Sequence, residues 1–377
     1  MIEEVTVFVT GDSSKISTWS NVPFFFTEAL ISKGIKVNRV NISPSPICKK
    51  FYRPFGKLIR IIYRTTSYNY ARSYIHFKNV RFRIKKAINQ YPNSDVFLFF
   101  GFSFSSADLT KKPTVLFGDW TYDHHFRYFL MKEPDFFERQ SVKREDAQIN
   151  NSSLIISLFP GVAEYMKKRY INDNIHYLGN VINSLYQVSE DNLLKIKKKS
   201  NKILFIGRNK YLDGAKTLIR AFVLLKRKYK DLTLHFIGIE TSDFENLPNG
   251  VYCYGYLDKA NDADRDLYYN LLKEAKVFVN TTPQWGAFSA SIEAMYFYVP
   301  VVVTPYDEFI ETFGKNIEIG AYCESNLDTL LAEKIEYVMF HKSYEQLCCN
   351  AHNSVKEFTW DSYINKVIAK MEELPVL

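Results

Sequence analysis

Short runs of β-branched and aromatic residues recur along this chain, bounded by turn formers and separated by stretches of helical period. In the first half, Val5–Val9, Lys36–Asn41, Asp95–Phe102, Thr114–Phe117 and Leu154–Leu158 read as strands. Several are apolar at nearly every position, the pattern of a strand buried on both faces. Between the first two lies a polar loop, Gly11–Pro23, and then a helix over Phe24–Lys33 that Gly34 would end as a C-cap. The second half repeats this grammar. Lys202–Gly207, Leu232–Ile237, Val251–Tyr254, Val277–Asn280 and Val301–Val303 read as strands, with helices over Ala215–Tyr229 and Asp266–Ala275. Strands alternating with helices predict parallel pairing through crossovers, hence an α/β fold with two doubly wound, Rossmann-like sheets. Ligands of such sheets bind outside the carboxyl ends of the strands.

The segment Asn183–Ser200 is polar and lysine-rich, with no apolar period after Leu194, and predicts the interdomain boundary near residues 185–200. The expected parts are therefore residues 1–185, residues 200–355 and a terminal amphipathic helix within 356–377, N-capped by Thr359 or Asp361. At 377 residues, each of the two large parts is long enough to bury its own core.

Composition narrows the class. Hydrophobic residues make up 46% and charged residues 24%, ordinary for a globular chain, and no run approaches the ~18 apolar residues that span a bilayer. Met1-Ile-Glu-Glu-Val leads straight into a strand, without the basic and apolar regions of a signal peptide. The five cysteines are scattered, without Cys-x-x-Cys spacing, which argues against a disulfide framework and a zinc site. Cys348-Cys349 reads as helix packing. A reduced, cytoplasmic protein is expected.

Net charge is +8, and its distribution matters more than its sum. Between Ala29 and Ser94 there is no Asp or Glu, whereas Lys49, Lys50, Arg53, Lys57, Arg60, Arg64, Arg72, Lys78, Arg81, Arg83, Lys85 and Lys86 all fall there. Aromatic and aliphatic residues are interleaved, and positions 58, 59, 61 and 62 share one helical face. Residues 49–86 thus suit an anionic membrane surface, at the inner face of the membrane, as a peripheral contact. A core-facing helix with solvated Lys and Arg is the other reading. No nucleic-acid motif accompanies the basic run.

The densest chemistry lies in Trp285-Gly-Ala-Phe-Ser-Ala-Ser-Ile-Glu293-Ala-Met, followed by Val299-Pro-Val-Val-Val303. It reads as loop, helix and buried strand. The N–H groups of Gly286, Ala287, Phe288 and Ser289 at the helix start suit a phosphate, and Glu293, about two turns on, can reach a ribose hydroxyl. This order resembles the donor-binding signature of GT-B glycosyltransferases of retaining family 4, the glycosyl transferases group 1. There the motif begins with a Glu, and here that position is Trp285. The resemblance covers most of Lys202–Leu374 and is looser over residues 1–180.

The resemblance implies a GT-B layout, in which two Rossmann-like domains face a central cleft and the final helix packs back toward the first. It implies transfer of a sugar from a nucleotide diphosphate donor to a saccharide or lipid-linked acceptor, in cell-surface polysaccharide or glycolipid synthesis. The nucleotide sugar is a substrate, and neither a cofactor nor a metal is expected. Arg208, behind Gly207, would meet the pyrophosphate. Lys210, or less readily Lys216, would stand in for the family's lysine, whose position is Asp213. Glu293 would hold the ribose and Trp285 would stack on the sugar or close the pocket. Gly255 and Tyr256 would meet the base, Tyr256 by stacking. Ser17–Pro23 and Gly118–Thr121 look like acceptor-facing loops, with Asp119 and His124 as candidate catalytic groups beside Thr121 and His125, and Gly11, Asp12 and Asn21 shaping the same side. The alternative is a non-catalytic GT-B-like module that binds a sugar or a partner. A GT-B epimerase or hydrolase is a third reading, against which the tryptophan speaks.

Overall fold

The computed structural model describes residues 1–282 and 288–375. The chain divides into two compact units, Met1–Asn180 with Trp360–Leu377, and Val181–Thr359. Each is built on a six-stranded parallel sheet.

In the first unit the strands are β1 (Glu4–Val9), β2 (Lys36–Asn41), β3 (Val96–Phe100), β4 (Thr114–Gly118), β5 (Leu154–Ser157) and β6 (Ile175–Tyr177). Their order is β2-β1-β3-β4-β5-β6, so the winding reverses between β1 and β3. Every residue of β1, β3, β4 and β5 is buried. Helices cover both faces of such a sheet, which is why these strands show no alternation. Phe8 and Phe99 stack at 4.3 Å on adjacent strands. The terminal helix Trp360–Glu372 belongs to this unit: Trp360 meets Phe25 and Phe26, and Tyr363 meets Phe117.

In the second unit the strands are β7 (Lys202–Ile206), β8 (Thr233–Ile237), β9 (Val251–Cys253), β10 (Val277–Asn280), β11 (Val301–Val303) and β12 (Gly320–Tyr322). The order β12-β11-β10-β7-β8-β9 reverses between β7 and β10. One apolar core, including Phe205, Leu218, Phe222, Phe236, Val279 and Ile335, lies against this sheet.

The structure departs from the sequence expectations in three places. The three-residue strands β6 and β12 were absent from the expected set; they end their sheets, where little apolar pattern is needed. The boundary between units falls at Asn180–Val181, and the polar stretch expected to link them contains a helix, Glu190–Lys199, within the second unit. Leu193 and Lys197, one turn apart, are both buried there, so a lysine occupies the position where an apolar residue would have revealed the period. Third, positions 58, 59, 61 and 62 do not share a face in the sense expected. On the helix Pro46–Ile62, Ile59 is buried with Tyr52 while Leu58, Ile61 and Ile62 are exposed. Among the described residues no helix is long and apolar enough to cross a membrane. Cys348 is buried in the helix Tyr344–Asn353, and all five cysteines are free.

Lys197 is wholly buried, and its Nζ donates to the carbonyls of Leu272, Lys273 and Ala275 at 3.0, 3.1 and 3.1 Å. These oxygens lie at the end of the helix Asp262–Glu274, where backbone acceptors lack helical partners. Burial pushes the lysine pKa down to about 7. Between that value and an unfolded pKa of ~10.4, the unfolded chain binds more protons, so stability from this group rises with pH. Lys197→Met should cost about 1–3 kcal/mol in urea unfolding through unsatisfied carbonyls. The gap from the parent should widen as the pH is raised from about 7 to about 9. A gap that narrows over that range would contradict this assignment.

Candidate active site

Glycines stand directly after β7 and β8, and two residues after β9, and these backbones touch. Gly207 N–H donates to Ile237 O at 3.0 Å, and Gly238 N–H donates to Gly255 O at 2.6 Å. A Cβ on Gly238 would lie 2.6 Å from Gly207 O, and one on Gly207 would lie 2.7 Å from the Tyr211 ring. Gly238 and Gly255 also have φ of +89° and +62°, which side chains other than glycine adopt at a cost. The result is a tight cluster of glycine main chain at the carboxyl end of the sheet, next to the strand reversal, with Tyr211 against Gly207 and Glu240 against Gly255.

Arg208 leaves this cluster directly after Gly207. It is exposed, and its guanidinium lies 4.2 Å from the Tyr256 ring centroid, with Tyr256 itself 50% exposed. Tyr256, expected to stack on a base, carries the arginine on its ring instead; such a cation–π contact fixes the guanidinium plane. Lys210 is exposed with its amino group 4.8 Å from the Tyr211 ring, and Lys216 and Asp213 are exposed on the helix Leu212–Lys228. Gly214, in the first turn, packs on Thr282: a Cβ there would meet Thr282 Oγ1 at 2.6 Å.

Across the reversal, β10 ends in Asn280, Thr281 and Thr282. Asn280 Oδ1 accepts from Thr282 N–H at 3.2 Å and Thr282 Oγ1 at 2.8 Å. Thr281 is 2% exposed, and its Oγ1 has no partner among the described residues. Trp285, Gly286 and Ala287, to which the sugar and phosphate roles were assigned, lie outside the described residues. The helix Phe288–Tyr296 begins right after them. Phe288 is buried on Phe309 and Phe313, anchoring the first turn, while Ser289 is exposed.

Glu293 is where structure and expectation differ most. The sequence assigns its carboxylate to a ribose hydroxyl. Both oxygens are instead held by the protein: Lys259 Nζ donates to Oε1 at 2.7 Å and Tyr268 Oη to Oε2 at 2.7 Å. Lys259 also donates to Asn183 O at 3.1 Å and lies 4.3 Å from the Tyr268 ring centroid. The lysine and glutamate side chains are 8% and 5% exposed. Burial and the adjoining carboxylate raise the pKa of the Tyr268 phenol, keeping it a donor. A carboxylate has about four lone-pair sites, so this pair fixes Glu293 and leaves acceptor capacity. Sequence reasoning missed Lys259 and Tyr268, which lie 34 and 25 residues upstream. It also missed the polar Asn280–Thr282 step, although three polar residues directly after Val277–Val279 were a readable signal.

In the first unit, the loop Gly11–Asn21 follows β1 at that sheet's own reversal. Trp19, Ser20 and Asn21 have φ of 36°, 55° and 71°, three consecutive non-glycine residues in the left-handed region. Such strain persists only where surroundings enforce it. Thr18 Oγ1 donates to Asp12 O at 2.6 Å, and Trp19 packs edge-on against Phe100. Asp119, just after β4, accepts the Trp120 N–H at 2.8 Å. Thr121 caps the next turn by accepting His124 N–H at 3.1 Å.

His124 does not suit the catalytic role assigned to it. Its ring lies in an aromatic column, 5.1 Å from Trp120 and 5.1 Å from Tyr128, with only 9% of the residue exposed. Burial lowers its pKa to about 4, so the imidazole is neutral at physiological pH. His125 is lowered in the same direction by burial. A histidine behind a polar strand end is easily read as catalytic; here the neighbouring aromatic side chains take it into the core.

Residues 189–353, all within the second unit, match the model of the family described as glycosyl transferases group 1. An uncharacterized glycosyltransferase of Methanocaldococcus jannaschii, MJ1069, is 22% identical over 295 residues, 73% of this chain and 71% of its own length. Among solved structures, sucrose-phosphate synthase from Thermosynechococcus elongatus is similar with a TM-score of 0.70 at 13% identity, covering 98% of both chains. Anabaena Alr3699/HepE in complex with UDP-glucose is similar with a TM-score of 0.61 at 13% identity, over 98% of this chain and 100% of that one. With its two doubly wound sheets the chain has the GT-B fold, and its second unit matches the glycosyl transferases group 1 family over residues 189–353.

Proposed function

We propose that this protein is a retaining hexosyltransferase that takes its sugar from a nucleoside diphosphate. Its acceptor is a saccharide or lipid-linked hydroxyl, in the synthesis of a cell-surface polysaccharide or glycolipid. The observation that carries this reading is Arg208, an exposed guanidinium set by Tyr256 directly after the glycine cluster at the strand reversal. As the bond from sugar C1 to the β-phosphate breaks, negative charge grows on the departing diphosphate. A fixed cation and oriented N–H groups stabilise that charge more than the ground state. The acceptor oxygen bonds to C1 on the same face, and its proton passes to the departing phosphate oxygen. No strong base is needed, which agrees with a neutral, buried His124. The UDP-glucose bound by Alr3699/HepE supports a nucleotide sugar as donor. No metal is required in this scheme, since Arg208 supplies the positive charge.

A membrane surface as partner is supported by the helix Pro46–Ile62. Ile47, Phe51, Phe55, Leu58, Ile61 and Ile62 are 69, 81, 45, 53, 73 and 61% exposed and fall on one face by their spacing. Lys49, Lys50, Arg53, Lys57 and Arg60 are exposed around that stripe. An apolar stripe bordered by cations is the pattern of a helix lying in an anionic interface.

One observation favours a non-catalytic, sugar-binding reading: Glu293 is already held by Lys259 and Tyr268. Thermal shifts with UDP-, GDP- and ADP-sugars separate the two readings, because a donor site gives saturable stabilisation and its absence favours the second.

Arg208→Ala should leave the unfolding midpoint unchanged, since the side chain is exposed, and lower kcat/KM by about 10²–10³-fold; unaltered turnover would remove Arg208 from the site. Lys259→Met strands a buried carboxylate and should cost about 3–5 kcal/mol in urea unfolding, whereas Lys259→Met with Glu293→Leu should recover most of it. If the double variant regains stability but not nucleotide binding, Glu293 meets the donor as well as the lysine. Replacing Lys57, Arg60 and Arg64 by alanine should weaken sedimentation with anionic liposomes by about 1 kcal/mol per charge. Equal binding by parent and variant would return this face to ordinary surface.

A further inference from the structure

The first unit carries exposed apolar side chains that neither its core nor the transfer chemistry accounts for. Beside the helix Pro46–Ile62, the turn that joins Phe129 to the helix Phe136–Asn151 presents Leu130, Met131 and Phe136, which are 40, 71 and 50% exposed. Met131 also has a φ of +48°, in the left-handed region that glycine and asparagine take more readily. Backbone bonds on either side enforce it: Leu130 N–H donates to His125 O at 3.1 Å, and Lys132 N–H donates to Phe126 O at 3.1 Å. A strained backbone that holds a flexible thioether side chain out to solvent gains no burial inside the unit.

This turn and the helix Pro46–Ile62 are seated on one small apolar cluster of their own. Its buried members are Tyr52, Ile59, Tyr68 and Tyr70, with Cys48, Tyr63 and Phe137 packed against them. The Phe137 ring meets Phe55 and Tyr63, each at 6.0 Å, and Phe136 at 5.4 Å. Phe55, 45% exposed, belongs to the apolar stripe of the helix, so ring contacts carry that stripe through Phe137 to Phe136. Lys132 ties the turn down from its other side, donating to Thr65 O at 2.8 Å just beyond the helix end. The charges around this surface are of one sign. No Asp or Glu lies between Ala29 and Ser94, and Arg64 and Arg139 are exposed next to the cluster. The two acids of the turn are engaged: Glu133 pairs with Arg127 at 2.7 Å, and Asp135 caps the helix Phe136–Asn151.

We propose that the turn at residues 130–136 is a second insertion point in an anionic lipid bilayer, so that the first unit docks through two elements. The inference rests on the membrane contact of the helix Pro46–Ile62 given above. Exposed apolar side chains bordered by cations fit an anionic lipid surface, which receives Met131 and Phe136 without a shaped pocket. A single interfacial helix leaves the body free to roll about the helix axis, and a contact off that axis stops the roll. The turn continues from the loop after β4 through the short helical stretch at residues 122–129. Docking here therefore fixes the end of β4 relative to the bilayer.

The test is flotation of the full chain with phosphatidylcholine vesicles, with and without phosphatidylglycerol. Met131→Asn removes the apolar side chain at a position whose backbone asparagine tolerates, so its unfolding midpoint should equal or exceed the parent's. It should bind the phosphatidylglycerol vesicles about tenfold more weakly than the parent. That loss should persist as salt is raised, whereas the loss caused by replacing Lys57, Arg60 and Arg64 should shrink. Phe136→Trp, an aromatic exchange at a half-exposed position, reports insertion directly. On vesicles with brominated acyl chains its fluorescence should be quenched beyond the quenching of the parent's own four tryptophans. Equal binding by Met131→Asn and the parent, or no added quenching in Phe136→Trp, overturns the inference while the helix contact stands. Absence of vesicle binding by the parent overturns both.

Discussion

Three strand ends in the second unit approach more closely than side chains permit, and the candidate donor site depends on that approach. A Cβ at position 238 would sit 2.6 Å from Gly207 O, and one at position 255 would sit 2.2 Å from Glu240 Oε1. Any residue other than glycine at these places would push the strand ends apart or displace Glu240. Glycine there costs conformational entropy in the unfolded chain. In return, the strand ends pack main chain on main chain, with the Tyr211 ring against Gly207 and the Glu240 carboxylate against Gly255. Arg208, emerging from this edge, is exposed.

Two cations in this unit answer opposite electrostatic demands. Arg208 is at the surface, steadied by one aromatic ring and open to an incoming anion. Lys259 is buried, and its charge is tolerable only because Glu293 lies 2.7 Å away with Asn183 O completing its shell. Buried pairs of this kind seldom add net stability, but they specify position. Here the pair pins the middle of the helix Phe288–Tyr296, and Phe288 pins its start against Phe309 and Phe313.

The double α/β winding was legible because, among the described residues, ten of the twelve strands carry apolar or β-branched runs or alternation, whereas β6 and β12 are three-residue edge strands with little to bury. The helix Glu190–Lys199 was hidden by a lysine in a core position, since a reader of periodicity counts lysine as outward. Arg208 was legible through its place behind Gly207 at a strand end. The partners of Glu293 were not, because they come from a helix and a loop far along the chain. His124 misled for a related reason: its aromatic column includes Phe159, which meets Trp120 at 4.8 Å but lies on a different segment. Local patterns carry secondary structure and strand ends, while burial of a single polar group is decided by tertiary neighbours.

The two units thus carry different chemistries on the same kind of scaffold. The second offers one exposed guanidinium beside clustered glycine backbone, and the first offers a basic helix with an exposed apolar stripe. The central claim is that a diphosphate is held at the end of β7 without help from a metal ion. Calorimetric titration of the full chain with UDP, GDP and ADP in buffer containing a chelator tests it most directly. The account predicts one-site, saturable binding of at least one of them. Failure of all three to bind at millimolar concentration would contradict it.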